Sequence, residues 1–549
     1  MVVSSLQRTA LGAAQLILWF QAAILPVFSA SAGNIVNTGY AQYRGNQSFP
    51  NTVAYLGIPY AEPPLGELRF RAPLPLNTTR VAAEARGKVI DANAYPDFCV
   101  QGTTGNGDAG GAGSEDCLKV NIYAPTGAQK GNNLPVLVYI HGGAYIFGNP
   151  ATWPFDHWIH QSPNVVIVSV YYRLDSFGFL SIPEFSDPVN GDHNAGFSDQ
   201  ILALKWVNKN IASFGGNPRA VTINGESAGG SSVELHMVAN TERNLFRGVI
   251  AQSVYRIPLA TPEQRVPQFQ IFASKAGCGM GSVKTQLACL RSASVSALAQ
   301  AQDFVSVNLA GYHLFQPVVD GKIFTDFPTR QLTNGKFANV PVIVGSTTNE
   351  TLAEGPTIAA ALEAYFPSMS NRTAAAFVAE YPIREFASTG LQAQVATGEP
   401  SVICARHIIA SAVAKRNRAW TYRYNQPNPT ADGANGVAHQ AENWMMFRGI
   451  NTGFNGTGVF TSMTAIEMAF AEELIAYWLS FVRSGDPNTF KLTRSPLWNP
   501  FTTNAKLRIV LQEDQRNMTN QSGSFLETES TLESQRCSFV ASQVVAQQN

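Results

Sequence analysis

The stretch at 221–230, VTINGESAGG, sets a serine between two glycines, after three β-formers and before a run of small residues. Strand, sharp turn and helix in that order lift Ser227 above the edge of a sheet. Gly225 and Gly229 leave room at the bend. A helix starting beyond the serine directs the positive end of its dipole toward it. Alone, the G-x-S-x-G pattern is weak, arising by chance in roughly one chain in four of this glycine content. Its surroundings decide what it means.

Those surroundings are a series of uninterrupted apolar runs: 134–140 (LPVLVYI), 165–171 (VVIVSVY), 221–224, 248–251 and 340–344 (VPVIV). Continuous rather than alternating hydrophobicity predicts strands covered on both faces. Between them lie helical patterns. The segment 199–213 (DQILALKWVNKNIAS) carries apolar residues at helical spacing, and FGGNP at 214–218 ends it. Alternating strands and helices predict an α/β fold with a mostly parallel sheet. No internal repeat stands out. The one low-complexity patch is 102–114, GTTGNGDAGGAGS.

A serine nucleophile needs a base, and in strand-turn-helix hydrolases the acid and then the histidine follow the serine in the chain. His236, His313, His407 and His439 lie downstream of Ser227. His236 falls on the helix leaving the elbow, pointing away, and His407 falls inside the helical run VICARHIIASAVAKR. His439 lies in the glycine-bearing loop GANGVAHQAENW, which aims an imidazole freely, and is the best base. The acid is expected at the carboxyl end of a strand between serine and histidine, where catalytic groups gather. Glu350 fits, on the loop GSTTNE that leaves the strand at 340–344, with Glu354 as its rival. For the oxyanion, HGGAY at 141–145 follows the strand LPVLVYI, and its small residues let backbone N–H groups approach a ligand. With the N–H of Ala228 it forms a preorganised set of donors.

Composition narrows the partners and the compartment. Lys+Arg and Asp+Glu both number 38, so no basic surface for nucleic acid is expected. Residues 1–32 read as a signal peptide: Arg8 is its only charge, 11–28 is mostly apolar, and Ala30-Ser31-Ala32 is a cleavage pattern. Residues 33–549 then form one catalytic domain. No later run is long enough to span a membrane, and the C-terminus lacks a lipid-anchor tail, so no stable membrane insertion is expected. Asn46, Asn77, Asn371, Asn455, Asn517 and Asn520 open glycosylation sequons; Asn349 also qualifies but adjoins the acid. Six cysteines suit an oxidising compartment and permit 15 pairings. A secreted, extracellular protein is expected.

Taken together, YLGIPYAEPPLGELRF (55–70), SEDCLKVNIYAP (114–125), YIHGGAYIFG (139–148), NAGFSDQILALKWVNKNIASFGGNP (194–218) and VTINGESAGG resemble the type-B carboxylesterases. That family includes cholinesterases and yeast-type fungal lipases. The resemblance runs from about residue 33 to the C-terminus. It implies an α/β-hydrolase fold, a mostly parallel central sheet flanked by helices. It also implies Ser227 as nucleophile, Glu350 as acid, His439 as base, and the N–H groups of Gly143, Ala144 and Ala228 as oxyanion donors. Ala144 stands where a third glycine is commoner, a change that spares a backbone donor. The resemblance further implies disulfides Cys99–Cys117, Cys278–Cys289 and Cys404–Cys537, an Arg69–Glu115 ion pair, and a buried polar network holding Glu226 and Ser253. No cofactor or metal is implied.

Departures from the family sharpen the expectation. The loop CVQGTTGNGDAGGAGSEDC is short and glycine-rich, without the amphipathic flap of the lipases or the tryptophan that stacks on choline. Val254 and Tyr255 follow Ser253 where glycine is common, which predicts a narrower acyl side. The expected function is a secreted esterase acting on short-to-medium acyl or aromatic esters. The alternatives are a lipase or sterol esterase and a non-catalytic binding homologue. The oligomeric state is left open.

Overall fold

The computed structural model describes residues 34–103, 112–242, 244–430, 436–452 and 458–549. The expected signal peptide (1–32), the middle of the glycine-rich loop (104–111) and the Asn455 sequon lie outside the described residues.

The apolar runs form the centre of a 13-stranded sheet. Seven of its strands are mutually parallel: β1 (Leu134–Ile140), β2 (Val166–Val170), β3 (Gly216–Glu226), β4 (Gly248–Gln252), β5 (Val342–Thr347), β6 (Ala419–Tyr424) and β7 (Leu507–Leu511). Their spatial order is β2-β1-β3-β4-β5-β6-β7. Strands β2, β4 and β5 are buried along their whole length, the reason for their unbroken hydrophobicity. Alternate residues feed two cores. Val138, Val168, Ile223 and Val249 pack on one face with Leu204 and Val207. Leu137, Ile167, Ile250 and Ile343 pack on the other with Trp478 and Trp498.

From β1 the chain steps to β2 on one side and then to β3 on the other. The gap between the carboxyl ends of β1 and β3 is therefore the switch point of the sheet, where ligand sites form in open α/β sheets. The stretch His141–Tyr145 leaves β1 there, and Ser227 leaves β3. Antiparallel strands extend the sheet beyond β2, beginning with Lys119–Pro125 and Thr52–Pro59, and Phe525–Thr528 closes the other edge on β7.

Two boundaries differ from the sequence pattern. Helix α1 (Ala195–Asn210) starts before Asp199 and passes into a tight turn, Ile211–Phe214, ended by Gly215 at φ +85°. Strand β3 begins at Gly216 rather than Val221, because Leu134 pairs with Gly216 through backbone bonds that need no apolar side chain.

All three disulfides implied by the resemblance are present, Cys99–Cys117, Cys278–Cys289 and Cys404–Cys537. The guanidinium of Arg69 lies 2.7 Å from Glu115 and donates to the carbonyls of Leu290, Arg291 and Ala293. Asn46, Asn77, Asn371, Asn517 and Asn520 are exposed, whereas Asn349 is half-buried. Among the described residues no helix is long and apolar enough to cross a membrane.

Candidate active site

Ser227 sits between β3 and helix α2 (Ala228–Val238) with φ 58° and ψ −122°, a conformation that costs on the order of 1–3 kcal/mol and persists only where its surroundings enforce it. Its N–H donates to the Gln252 carbonyl at 3.0 Å, and its carbonyl accepts from the Ser231 N–H at 2.8 Å. The flanking glycines are required by proximity. A Cβ on Gly225 would lie 2.5 Å from the Gly229 carbonyl, and one on Gly229 would lie 2.0 Å from the Ile140 carbonyl.

The sequence-predicted partners converge on this serine. His439 Nε2 lies 2.8 Å from Ser227 Oγ, and His439 Nδ1 lies 2.5 Å from Glu350 Oε2. The second oxygen of Glu350 accepts from Ser253 Oγ at 2.6 Å and from the Thr347 N–H at 2.8 Å, so Ser253 orients this carboxylate. The rival Glu354 is exposed on the wall of an adjoining cleft. The other histidines lie elsewhere. His236 faces Gln200, His407 pairs with Glu529, and His313 bonds the Gly311 carbonyl.

Electrostatics shift Glu350 and His439 in opposite directions. Burial alone would raise Glu350, but the charge of His439 and three hydrogen bonds hold it below the ordinary carboxylate value. Burial alone would lower His439, but Glu350, Glu226 and Glu442 outweigh it and raise the imidazole to about 9. Glu226 is itself pushed up to about 7 by burial, and Glu442 to about 8. A protonated His439 is thus stabilised from behind.

That rear network is larger than sequence reasoning found. Glu226 accepts from Asn443 Nδ2 at 2.9 Å. Glu442 accepts from Gln252 Nε2 and from the Tyr422 hydroxyl, each at 3.0 Å. Glu442 and Asn443 follow His439 by three and four positions in a short helix, Ala441–Met446, and that spacing was the available signal. Gln252 ends β4, 190 residues from the glutamate it serves, and nothing local marks it.

Of the oxyanion donors expected from the sequence, Gly143 and Ala144 lie in the turn after β1 and Ala228 opens α2. Among the described residues no acceptor takes the N–H of Gly143, Ala144 or Ala228. Gly143 (φ +103°) cannot carry a side chain, since a Cβ would meet the Phe147 carbonyl at 2.0 Å. Its own carbonyl accepts from the N–H groups of Ile146 and Phe147 at 2.9 and 3.0 Å. His141, lowered to about 4 by burial and therefore neutral, bonds the Gly142 carbonyl through Nδ1 at 2.8 Å. Ala144 and Tyr145 both stand at positive φ, 58° and 67°.

Beside this turn opens a cleft of about 420 Å³ lined by Tyr255, Tyr312, Gln316, Leu352, Glu354 and Tyr365, among others. Ser227, His439 and Glu350 do not line this cleft; Tyr255 and Gln316 stand on its wall. Val254, expected to narrow the same side, instead packs into the core beneath α2. Among the described residues the one group of side chains at metal-binding spacing is Glu399, Cys404 and Cys537, whose cysteines are joined in a disulfide and offer no thiolate.

A model of the carboxylesterase family matches residues 32–540. Acetylcholinesterase of Bungarus fasciatus is 30% identical over 530 residues, 88% of this chain and 82% of that one. Lipase 5 of Diutina rugosa is 36% identical over 334 residues, 54% of this chain and 58% of that one. The crystal structure of Aspergillus niger EstA superposes with a TM-score of 0.81 at 28% identity, covering 95% of this chain and all of that one.

Proposed function

Because the chain belongs to the carboxylesterase family, as a carboxylic ester hydrolase of the type-B esterase and lipase class, we propose that it cleaves esters through a Ser227–His439–Glu350 triad and an acyl-enzyme. The observation that carries this reading is the continuous proton path, 2.8 Å from Ser227 Oγ to His439 Nε2 and 2.5 Å from His439 Nδ1 to Glu350.

In this mechanism neutral His439 takes the Ser227 proton as Oγ attacks the ester carbonyl, and Glu350 fixes the tautomer and stabilises the imidazolium. The N–H groups of Gly143, Ala144 and Ala228 receive the negative charge that develops on the carbonyl oxygen. One such donor contributes about 3 kcal/mol to lowering the barrier. His439 then protonates the departing alcohol, and the same residue activates the water that releases the acid.

We read the substrates as short-to-medium acyl or aromatic esters, supported by a cleft whose wall mixes tyrosine rings with polar groups. Secretion and glycosylation belong to the same reading. They are supported by three disulfides with no free cysteine among the described residues and by five exposed sequons.

A rate profile over p-nitrophenyl esters of increasing chain length and methyl hydroxycinnamates, below and above substrate solubility, tests the assignment. Turnover of soluble substrates with no jump at the solubility limit is expected; a jump would identify a lipase. Labelling by an organophosphonate should fall on Ser227, and an unlabelled, inactive protein would refute the triad.

A further inference from the structure

The oxyanion turn is built from residues that do not favour its shape. Gly143 O is bonded by the Ile146 N–H at 2.9 Å, and the two residues between them, Ala144 and Tyr145, are both at positive φ. Turns of this kind usually hold glycine, asparagine or aspartate there, because a Cβ at positive φ crowds the backbone. Something outside the turn must hold it.

The holders can be named. Tyr145 O accepts from the Asp175 N–H at 2.7 Å, and the buried Tyr145 hydroxyl meets Ser232 Oγ at 3.1 Å. The Ala144 carbonyl is held by one side chain, Gln316, whose Nε2 donates to it at 3.2 Å. The same amide nitrogen donates to the Tyr255 hydroxyl, also at 3.2 Å. Gln316 is buried, with 5% of its surface accessible, and it forms part of the wall of the 420 Å³ cleft.

We infer that Gln316 is a positioning residue for ester hydrolysis, fixing the oxyanion turn through the Ala144 carbonyl and linking it, through Tyr255, to the substrate cleft. This rests on the proposed triad chemistry. The Ala144 N–H has no acceptor among the described residues while its own C=O is held by Gln316, so the amide sets the orientation of the residue proposed to donate. Relaxation of Ala144 itself from φ 58° to negative φ turns its N–H relative to its own C=O. While Gln316 holds that carbonyl the N–H keeps its aim, and once the carbonyl is released the Gly143–Ala144 peptide can rotate and the aim is lost. A substrate group that fills the cleft and bonds the Tyr255 hydroxyl presses on the same link, which ties recognition of a polar or hydroxylated substituent to oxyanion stabilisation.

The test compares wild type with Gln316→Leu, which removes both donors, and with Gln316→Glu, which keeps the volume but presents a carboxylate to the Ala144 carbonyl. The probe is p-nitrophenyl acetate, too small to depend on the cleft. Complete loss of one oriented donor costs about 100- to 1,000-fold in kcat, so a loosened donor should cost about 10- to 100-fold, with KM changed less than about 3-fold. The rate of organophosphonate labelling should fall in parallel. Tyr255→Phe, which loosens Gln316 without removing it, should show a smaller fall in kcat and serves if the Gln316 variants do not fold. A kcat within twofold of wild type in a folded Gln316 variant or, failing those, in Tyr255→Phe, or a loss confined to KM, overturns the role of Gln316 alone. A wild type with no Ser227-dependent turnover overturns the triad reading and this role with it.

Discussion

Glu226 Oε1 lies 3.5 Å from His439 Nε2, the nitrogen that also faces Ser227 Oγ. A buried carboxylate in that place favours the protonated imidazole, whereas general-base catalysis needs the neutral one. On the proposed mechanism the acid limb of kcat/KM should therefore follow His439, with activity rising as pH climbs through its pKa. Replacing Glu226 with Gln removes one of the charges that raise His439. The limb should move to lower pH, read directly from a pH profile of kcat/KM. A limb that stays in place would show that Glu226 is protonated throughout and acts by packing.

Glu350→Gln keeps the shape of the acid but loses the charge that orients His439 Nδ1. By analogy with other acid-to-amide changes in catalytic triads, kcat should fall by about 10,000-fold. Steady-state kinetics on a folded variant decide this, and a fall of less than tenfold would return Glu354 to consideration.

Glu442 ties the site to stability. Its carboxyl is pushed up to about 8, first by burial and then by Glu226 and Glu350. A group whose folded pKa lies above its unfolded one contributes stability that is complete below the unfolded value and is lost as pH rises through the folded value. The wild type should thus lose thermal stability as pH rises from about 5 to about 9, and Glu442→Gln should flatten that decline. Calorimetry across this range checks the sign, and an equally steep decline in the variant would contradict it.

The disulfides should contribute unequally. Cys404–Cys537 closes a separation of 133 residues and Cys278–Cys289 one of 11. On chain-entropy grounds these are worth about 5 and about 3 kcal/mol. Removing each pair by Cys→Ala changes should lower Tm more for the longer loop. Equal losses, measured in parallel melts, would point to strain or residual structure in the unfolded chain.

Much of this site was legible in the sequence because its key residues are marked locally. Ser227 carries the strand-glycine-helix signature, Glu350 follows a strand end, and His439 occupies a loop that a core histidine would not. Of the residues that escaped notice, Glu442 was marked only by its place three positions after His439, and Gln252 and Gln316 have meaning only through partners far away in the chain. Gln316 is 172 positions from Ala144. The outer strands Gln42–Phe49 and Phe525–Thr528 escaped for a different reason: their partly to largely exposed, mixed patterns (QYRGNQSF, FLET) lack the apolar continuity that marked the centre. Val254 misled because a chain position beside the site does not fix the direction of its side chain.

The longest disulfide has a topological consequence. Cys404 and Cys537 bracket His439 in the chain, whereas Ser227 and Glu350 precede both. A single backbone cut anywhere within that bracket releases no fragment, because the two pieces stay joined through sulfur and the segment bearing the imidazole stays attached to the rest. Limited proteolysis there would leave a protein that migrates intact on a non-reducing gel, with its nick disclosed only by a thiol.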